Sequence, residues 1–475
     1  MSKMSILSAL FLLAAATGCA AQGNSSSPTG APKLCTSKDQ ALSLIYAPLT
    51  MSQGTTPTSH FILQMKDQVH GAESLKNDLQ QALGRDATVV LESIDTTLVS
   101  LHLPQNAKAS DVLSSYINSN QIEFLEPDYQ ISHSATAFND PEVSKQWAHG
   151  VVQSTNAWDL SEGEHVLVGV IDSGIDFSHP DLKANIYRNT REVINGVDDD
   201  RNGFIDDVSG WDFVNNNNNP QADDTRSYHG THVSGTIGAV GNNGIGIVGQ
   251  APRVKILPLK YLDSTGTGFT SNAIRAIDYA IKMKVKVLSN SWGSFSSSAS
   301  LQSAIVRARQ AGILFVAAAG NGDASGRAVN TDATPFFPAS YRLDNIVSVA
   351  ASDSSDQLSA WSNYGHSTVD LAAPGVSIYS TRNNNSYASL SGTSMATPLV
   401  SGVAALVFSE RPDLSPREVK AILIASVDKS SAYSGRVASG GRINAYKALK
   451  MARVYKHNLT QEDQLPVSSD SGSCP

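Results

Sequence analysis

Five continuous apolar, β-rich runs recur between residues 166 and 350, and they constrain the fold more than any other feature of the chain. The first is Val166-Leu167-Val168-Gly169-Val170-Ile171, and the others lie at Lys255–Leu259, Val285–Ser289, Ile313–Ala319 and Ile346–Ala350. Runs without polar alternation suit central parallel strands covered on both faces, because neither side of such a strand meets water. Helical spacing follows between and after them, at His232–Gly241, Ser271–Lys282, Ser300–Ala311 and Leu399–Phe408. This alternation predicts an α/β fold, a doubly wound and mostly parallel sheet. Sites in such folds collect beyond the carboxyl ends of strands, and the first run ends in Asp172-Ser173-Gly174.

A chain of 475 residues is longer than one ordinary domain. A smaller unit is expected over residues 59–131, ahead of the main domain at 140–455. It reads as strands at His60–Met65, Val89–Leu91, Thr97–Leu103 and Ile122–Pro127, with helices at Ala72–Leu83 and Ser110–Ile117. That order is a small α+β unit of ferredoxin-like kind, of a size at which an independent core is marginal. Residues 20–58 open with AAQGNSSSPTGAP, the composition of a flexible linker, and 456–475 form a polar tail.

Residues 1–19 carry Lys3, the apolar run Ile6–Ala16 and then Thr17-Gly18-Cys19, which reads as an export signal. The end resembles the lipobox of bacterial lipoproteins, with Ala16 where that family usually has Leu. It implies a lipid anchor through Cys19; an ordinary cleaved signal cut near Ala20 or Ala21 is the alternative. Only three cysteines occur, Cys19, Cys35 and Cys474, in a spacing that fits neither a zinc site nor a dense disulfide framework, so any metal should bind through oxygen. The formal charge of −8 and the lack of basic clusters argue against a nucleic-acid partner.

Ser391–Pro398 reads SGTSMATP and runs straight into the apolar Leu399–Leu406. Small residues around a serine at a helix start expose its hydroxyl beside backbone N–H groups, which stabilise developing negative charge. Ser394 is thus a candidate nucleophile, although capping by Ser391 or Thr393 would explain the local pattern equally well. Upstream, Asp172 at a strand end and His229-Gly230-Thr231-His232 supply the other parts of a Ser-His-Asp device. Spacing alone does not choose between His229 and His232.

DSGIDFSHPDL (172–182), HGTHVSGT (229–236), AAAGN (317–321) and SGTSMATP (391–398), in that order, resemble the signature segments of the subtilisin family of serine proteases over about residues 145–450. The resemblance implies Ser394 as nucleophile, His229 as general base and Asp172 as the carboxylate that fixes the imidazole. It also implies Asn321 as a side-chain donor to the oxyanion. Ser291-Trp292-Gly293 resembles the family's edge strand, which pairs with an extended protein or peptide substrate. Trp292-Gly293, Ala318-Ala319-Gly320 and Phe336-Phe337-Pro338 should line the primary specificity pocket. Nothing acidic lies in those segments, so an apolar or aromatic preference is expected. No catalytic cofactor is implied, and a monomer is expected.

The unit at 59–131 resembles the family's inhibitor-like propeptide, which implies an intramolecular inhibitor removed by cleavage between Tyr129 and Asn139. If Cys19 carries the anchor, that cut frees the protease from it; a Cys35–Cys474 disulfide would keep the pieces joined. Asp198, Asp200, Asn202 and the Phe204 carbonyl occupy positions 1, 3, 5 and 7 of an EF-hand-like loop with Gly203 at position 6. Ser209 stands where that loop has its bidentate Glu, leaving Asp206 or Asp207 to close a shell around structural calcium. A weaker calcium candidate joins Asp181 to Gly241–Ile245, by resemblance. Two other classes compete: a catalytically silent binding protein on the same scaffold, and a structural surface lipoprotein.

Overall fold

The computed structural model describes residues 60–66, 70–84, 89–93, 97–103, 110–119, 121–127, 138–223 and 227–457. The three cysteines, the signal, the linker, most of the expected cleavage zone and the tail beyond 457 lie outside these residues. The chain forms two compact units, Met1–Ser132 and His133–Pro475.

In the first unit, β1 (His60–Met65), α1 (His70–Leu83), β2 (Val90–Ser93), β3 (Leu98–His102), α2 (Ser110–Asn118) and β4 (Ile122–Pro127) build an antiparallel sheet of order β2-β3-β1-β4. Alternate residues point to one face, where Leu63, Met65, Val99 and Leu101 bury against Leu75 and Leu79 of α1 and Leu113 and Tyr116 of α2. The Tyr116 hydroxyl donates to Asp78 at 2.6 Å and ties the helices together.

The second unit begins with two short helices, α3 (Trp147–Val152) and α4 (Ser154–Trp158). It continues with β5 (Leu167–Asp172), β6 (Trp211–Asp212), α5 (His229–Gly238), β7 (Lys255–Lys260), α6 (Thr270–Lys282), β8 (Val287–Asn290), α7 (Ala299–Gln310), β9 (Leu314–Ala318) and β10 (Ile346–Ser352). Then follow β11 (Leu371–Pro374), the hairpin β12 (Ile378–Arg382) and β13 (Ser386–Leu390), α8 (Thr393–Glu410), α9 (Pro416–Ala425), β14 (Asp428–Lys429), β15 (Gly441–Arg442) and α10 (Ala445–Val454). The sheet order is β14-β15-β11-β10-β9-β8-β5-β7-β6, parallel except at β14. Val168, Val170, Leu314 and Val316 pack toward α5, α8 and α10, whereas Ile171, Leu288, Phe315 and Ala317 pack toward α6 and α7. Apolar residues at successive strand positions therefore serve two cores, as the uninterrupted runs require.

The expected doubly wound sheet is present, with differences at particular elements. The helix expected at 232–241 spans His229–Gly238, because Ala239 leaves helical geometry (ψ 142°) and Val240 instead donates to the Asp181 carbonyl. The β12–β13 hairpin escaped notice since Ile378–Leu390 is rich in Ser and Asn, without apolar alternation. Side chains of Ser380 and Thr381 hold it by donating to the carbonyls of His232 and Thr231. Helix α9 had a readable start, Ser415-Pro416 with Glu418 closing a capping box. Among the described residues, no helix is long and apolar enough to cross a membrane.

Candidate active site

Asp172 is the last residue of β5 and is 1% exposed. Its Oδ1 accepts from the Ser173 amide at 2.8 Å and pairs with Nδ1 of His229 at 2.8 Å. His229 opens α5, and Gly230 behind it allows the close approach: a Cβ there would sit 2.2 Å from the Gly174 carbonyl oxygen. Burial pushes the His229 pKa down, yet the charge of Asp172 and its hydrogen bond outweigh burial and raise it above 6.5. A ring whose Nδ1–H is held by a carboxylate leaves Nε2 as the basic nitrogen.

His232, one turn on, faces away from Asp172. Its Nε2 lies 3.0 Å from the Ile378 carbonyl oxygen and 3.1 Å from that of Ala388, so it donates to the hairpin. Burial, with the neighbouring His229 charge, lowers its pKa to about 4. Geometry thus makes the choice that spacing left open.

Ser394 stands in the first turn of α8, which Pro398 interrupts. A residue four positions on would normally bond the Ser394 carbonyl, but proline has no N–H. The Ser291 hydroxyl takes its place at 2.9 Å, and the Ser394 hydroxyl donates in return to the Ser291 carbonyl at 3.1 Å. This reciprocal pair joins the end of β8 to the start of α8. His229 Nε2 has no hydrogen-bond partner among the described residues, and a rotation of the Ser394 hydroxyl is what a base on that nitrogen needs.

Asn321 follows β9. Its Oδ1 accepts from both the amide and the hydroxyl of Thr393, each at 2.8 Å, which turns the amide nitrogen the other way. A Cβ built on Gly392 would lie 3.4 Å from Asn321 Nδ2 and 3.5 Å from the Ser394 amide nitrogen. Two donors therefore flank the same space. Ala319 and Gly320 hold that loop: Gly320 (φ +102°) donates to Thr393 Oγ1 at 3.2 Å, and Asn363 Nδ2 donates to the Ala319 carbonyl at 2.9 Å. Asn363 Oδ1 also accepts from Gly322 and Val329. It was missed because no motif surrounds it.

A groove of about 580 Å³ opens beside His229, walled by Tyr261–Gly268 on one side and Ser291, Trp292 and Gly293 on the other. The first wall also went unread in the sequence. Ser294 and Phe337 exchange backbone hydrogen bonds (2.8 and 2.7 Å), fixing the outer end of the second wall.

In the acidic loop, carboxylate oxygens of Glu192, Asp198 and Asp200 lie within 4.8 Å of one another. Like charges so placed repel, and oxygen donors converging this way suit a hard cation such as calcium. Asn202 lies inside this turn and donates its amide to Asp198 and Asp200, while the Phe204 ring packs edge-on to Trp211 and Tyr279. Asp206 and Asp207, like Glu192, Asp198 and Asp200, accept hydrogen bonds from the loop and its surroundings. Asp206 accepts from the Asn195 and Gly196 amides, and Asp207 accepts from the Tyr279 hydroxyl and Asn202 Nδ2. Glu192, six residues before the EF-hand-like register begins at Asp198, also stands in the cluster. At the second acidic position, Asp181 is buried, which lifts its pKa to about 6, and it contacts Asn243 Nδ2, the Ile247 amide and the Tyr387 hydroxyl. Asp140 binds the same loop through the amides of Asn242 and Asn243.

A buried carboxylate steering an imidazole, with a hydroxyl at a helix start and paired donors at the strand ends of a doubly wound sheet, defines the class: a serine hydrolase. The chain belongs to the subtilase family, whose profile (Peptidase_S8) matches residues 163–445. It is similar to thermitase of Thermoactinomyces vulgaris, 39% identical over 66% of this chain and 99% of that protein. It is also similar to the thermophilic serine proteinase of Bacillus sp. strain AK1, 33% identical over 84% of this chain and 88% of that protein. Subtilisin-like protease 1 of Plasmodium berghei is 34% identical over 81% of this chain, which spans only 65% of that longer relative. Among solved structures, the Pseudoalteromonas arctica PAMC 21717 protease aligns with TM-score 0.55 and 28% identity, over 67% of this chain and 100% of that one.

Proposed function

We propose that the chain is an exported serine endopeptidase with Ser394 as nucleophile, His229 as general base and acid, and Asp172 as the group that orients and stabilises His229. The observation that carries this is the Asp172–His229 hydrogen bond of 2.8 Å at the mouth of the groove that Ser291–Gly293 wall. Nε2 takes the Ser394 proton as Oγ bonds to the substrate carbonyl carbon, and the carbonyl oxygen becomes an oxyanion. Asn321 Nδ2 and the Ser394 amide donate to that oxygen. The C–N bond then breaks as Nε2 returns the proton to the leaving amine, and water repeats the sequence to release the acid. An extended peptide lies along Ser291–Gly293 by β-addition, opposite Tyr261–Gly268.

Residues 59–131 serve as the propeptide, an intramolecular inhibitor that the chain removes by cutting itself between Tyr129 and Asn139. The export signal at 1–19, with Cys19 lipidated, anchors the precursor, so processing releases the enzyme. Glu192, Asp198, Asp200, Asn202 and the Phe204 carbonyl hold a structural calcium ion, and Asp181 with Asp140 and Asn243 holds a second. Calcium supplies charge neutralisation to these loops and takes no part in the reaction.

The test is Ser394→Ala expressed beside the parent. The parent should mature, hydrolyse casein and take a fluorophosphonate label; the variant should accumulate as full-length precursor and do neither. Normal maturation of the variant would assign the cut to another protease, and retained hydrolysis would remove Ser394 from the reaction.

A further inference from the structure

This inference rests on the peptidase reading and narrows its substrate. Asn321 Nδ2 and the Ser394 amide flank the space for the reacting carbonyl. Ser291 grips Ser394 from the other side. The side chain of the residue under attack begins two bonds from that carbonyl carbon, so it must enter between the segments next to these groups, Trp292-Gly293 and Ala319-Gly320. Both walls end in glycine, which ordinarily leaves room for a side chain between them.

Here an aromatic ring already stands between them. A Cβ built on Gly293 would lie 2.4 Å from Cε1 of Phe336 and 2.9 Å from its Cζ. One built on Gly320 would lie 3.0 Å from Cδ1 and 3.1 Å from Cε1 of the same ring. One edge of Phe336 thus touches both walls. The ring is braced: Phe295 packs edge-on at 5.0 Å, and the Phe336 amide donates to Ser340 Oγ at 3.0 Å. Phe337, the next residue, is pinned to Ser294 by its two backbone bonds and packs on Tyr341 at 4.6 Å. The backbone therefore cannot carry the ring out of the slot without breaking that pairing.

We propose that Phe336 is a specificity-determining residue that fills the depth of this slot, so that the enzyme cleaves after small side chains such as Ala and rejects aromatic ones. The apolar lining expected from the sequence is present, and its volume is already taken by the protein's own phenylalanine. A bulky substrate residue would have to expel a packed ring, and dense packing resists that.

The test is a set of succinyl-Ala-Ala-Pro-Xaa p-nitroanilides, with Ala, Leu or Phe as the last residue, hydrolysed by the product matured from the full chain and by its Phe336→Gly and Phe336→Ala variants. The parent should show kcat/KM at least tenfold higher for Ala than for Phe. Each variant should raise its Phe-to-Ala ratio at least tenfold, with Phe336→Gly the larger. A parent that cleaves the Phe substrate as well as the Ala substrate overturns the proposal, as does an unchanged ratio in a folded variant. The parent's own profile decides the matter if neither variant folds. Absence of both peptide cleavage and fluorophosphonate labelling in the parent would instead defeat the endopeptidase reading, and this inference with it.

Discussion

His229 and His232 bound the first turn of α5, and their rings meet different surroundings. His229 is half-buried and faces the Asp172 carboxylate, whose charge holds its pKa above 6.5. His232 is fully buried and faces two hairpin carbonyls, and burial drives its pKa to about 4. A carbonyl offers a dipole, whereas a carboxylate offers a full charge, and only the latter offsets the cost of an imidazolium away from water. One histidine can therefore carry a proton through a reaction, and the other is kept neutral as a donor that secures the β12–β13 hairpin. Gly230 between them lets the helix start press against the Asp172 strand end.

The largest effect should come from His229→Ala. Its kcat/KM on a peptide p-nitroanilide should fall on the order of 10⁴-fold or more, the scale seen when a triad member is lost. The variant should still fold, with some loss of thermal stability, because the buried Asp172 carboxylate then keeps only the Ser173 amide as donor. A comparable loss of activity in His232→Ala, without loss of folded protein, would erase the division between the two rings.

Next in size is Asn321→Ala, for which kcat should drop roughly 100- to 1000-fold as one oxyanion donor is removed. The pH profile should keep its shape, because no proton passes through Asn321. A displaced acid limb in this variant would mean that the proton-carrying group is not confined to the Asp172–His229 pair.

His232→Ala should act on stability. It empties a buried site and leaves the Ile378 and Ala388 carbonyls without their donor. The cost should be about 2–4 kcal/mol, read as a melting temperature lower by roughly 5 °C in differential scanning fluorimetry. Gln, which can still donate to one carbonyl, should recover part of the loss. An unchanged melting temperature would show that the hairpin does not depend on this ring.

How much of this was legible in the sequence depended on whether a residue's role is local. Val168 through Ile171 announce a central strand by composition, and Asp172, His229 and Ser394 sit inside short motifs whose neighbours have steric duties. Gly230 and Pro398 are examples, one required by close approach and the other freeing the Ser394 carbonyl for Ser291. Asn363 and the Tyr261–Gly268 wall were not legible, because each meets its partners through tertiary contacts distant in sequence, and Glu192 was passed over because it precedes the EF-hand-like register although its partners lie in the same loop. Phe336 is apolar in any reading, and only its contacts with two glycines turn it from a pocket wall into a plug.

The comparison that sets the two histidines most directly against each other is the response to acid. The proposed mechanism needs neutral His229, so kcat/KM should fall tenfold per pH unit on the acid side of a pKa above 6.5, reversibly and with the protein still folded. Stability should follow a different course. His232 and the likewise buried His149, both lowered to about 4, remain neutral in the folded chain while their unfolded counterparts take up protons near 6.5. Their contribution is complete above pH 6.5 and is lost as pH falls from there to about 4, with each group accounting for about 3 kcal/mol at the lower end. Activity and melting temperature measured together from pH 8 to 4 should separate, the first declining from a higher pH than the second. Asp172→Asn should move the activity limb to lower pH and, because burial then lowers the His229 pKa as well, steepen the loss of stability below pH 6.5. If the two curves fell together in the parent, inactivation would be unfolding, and the proton that matters would belong to His232 or His149 instead of His229.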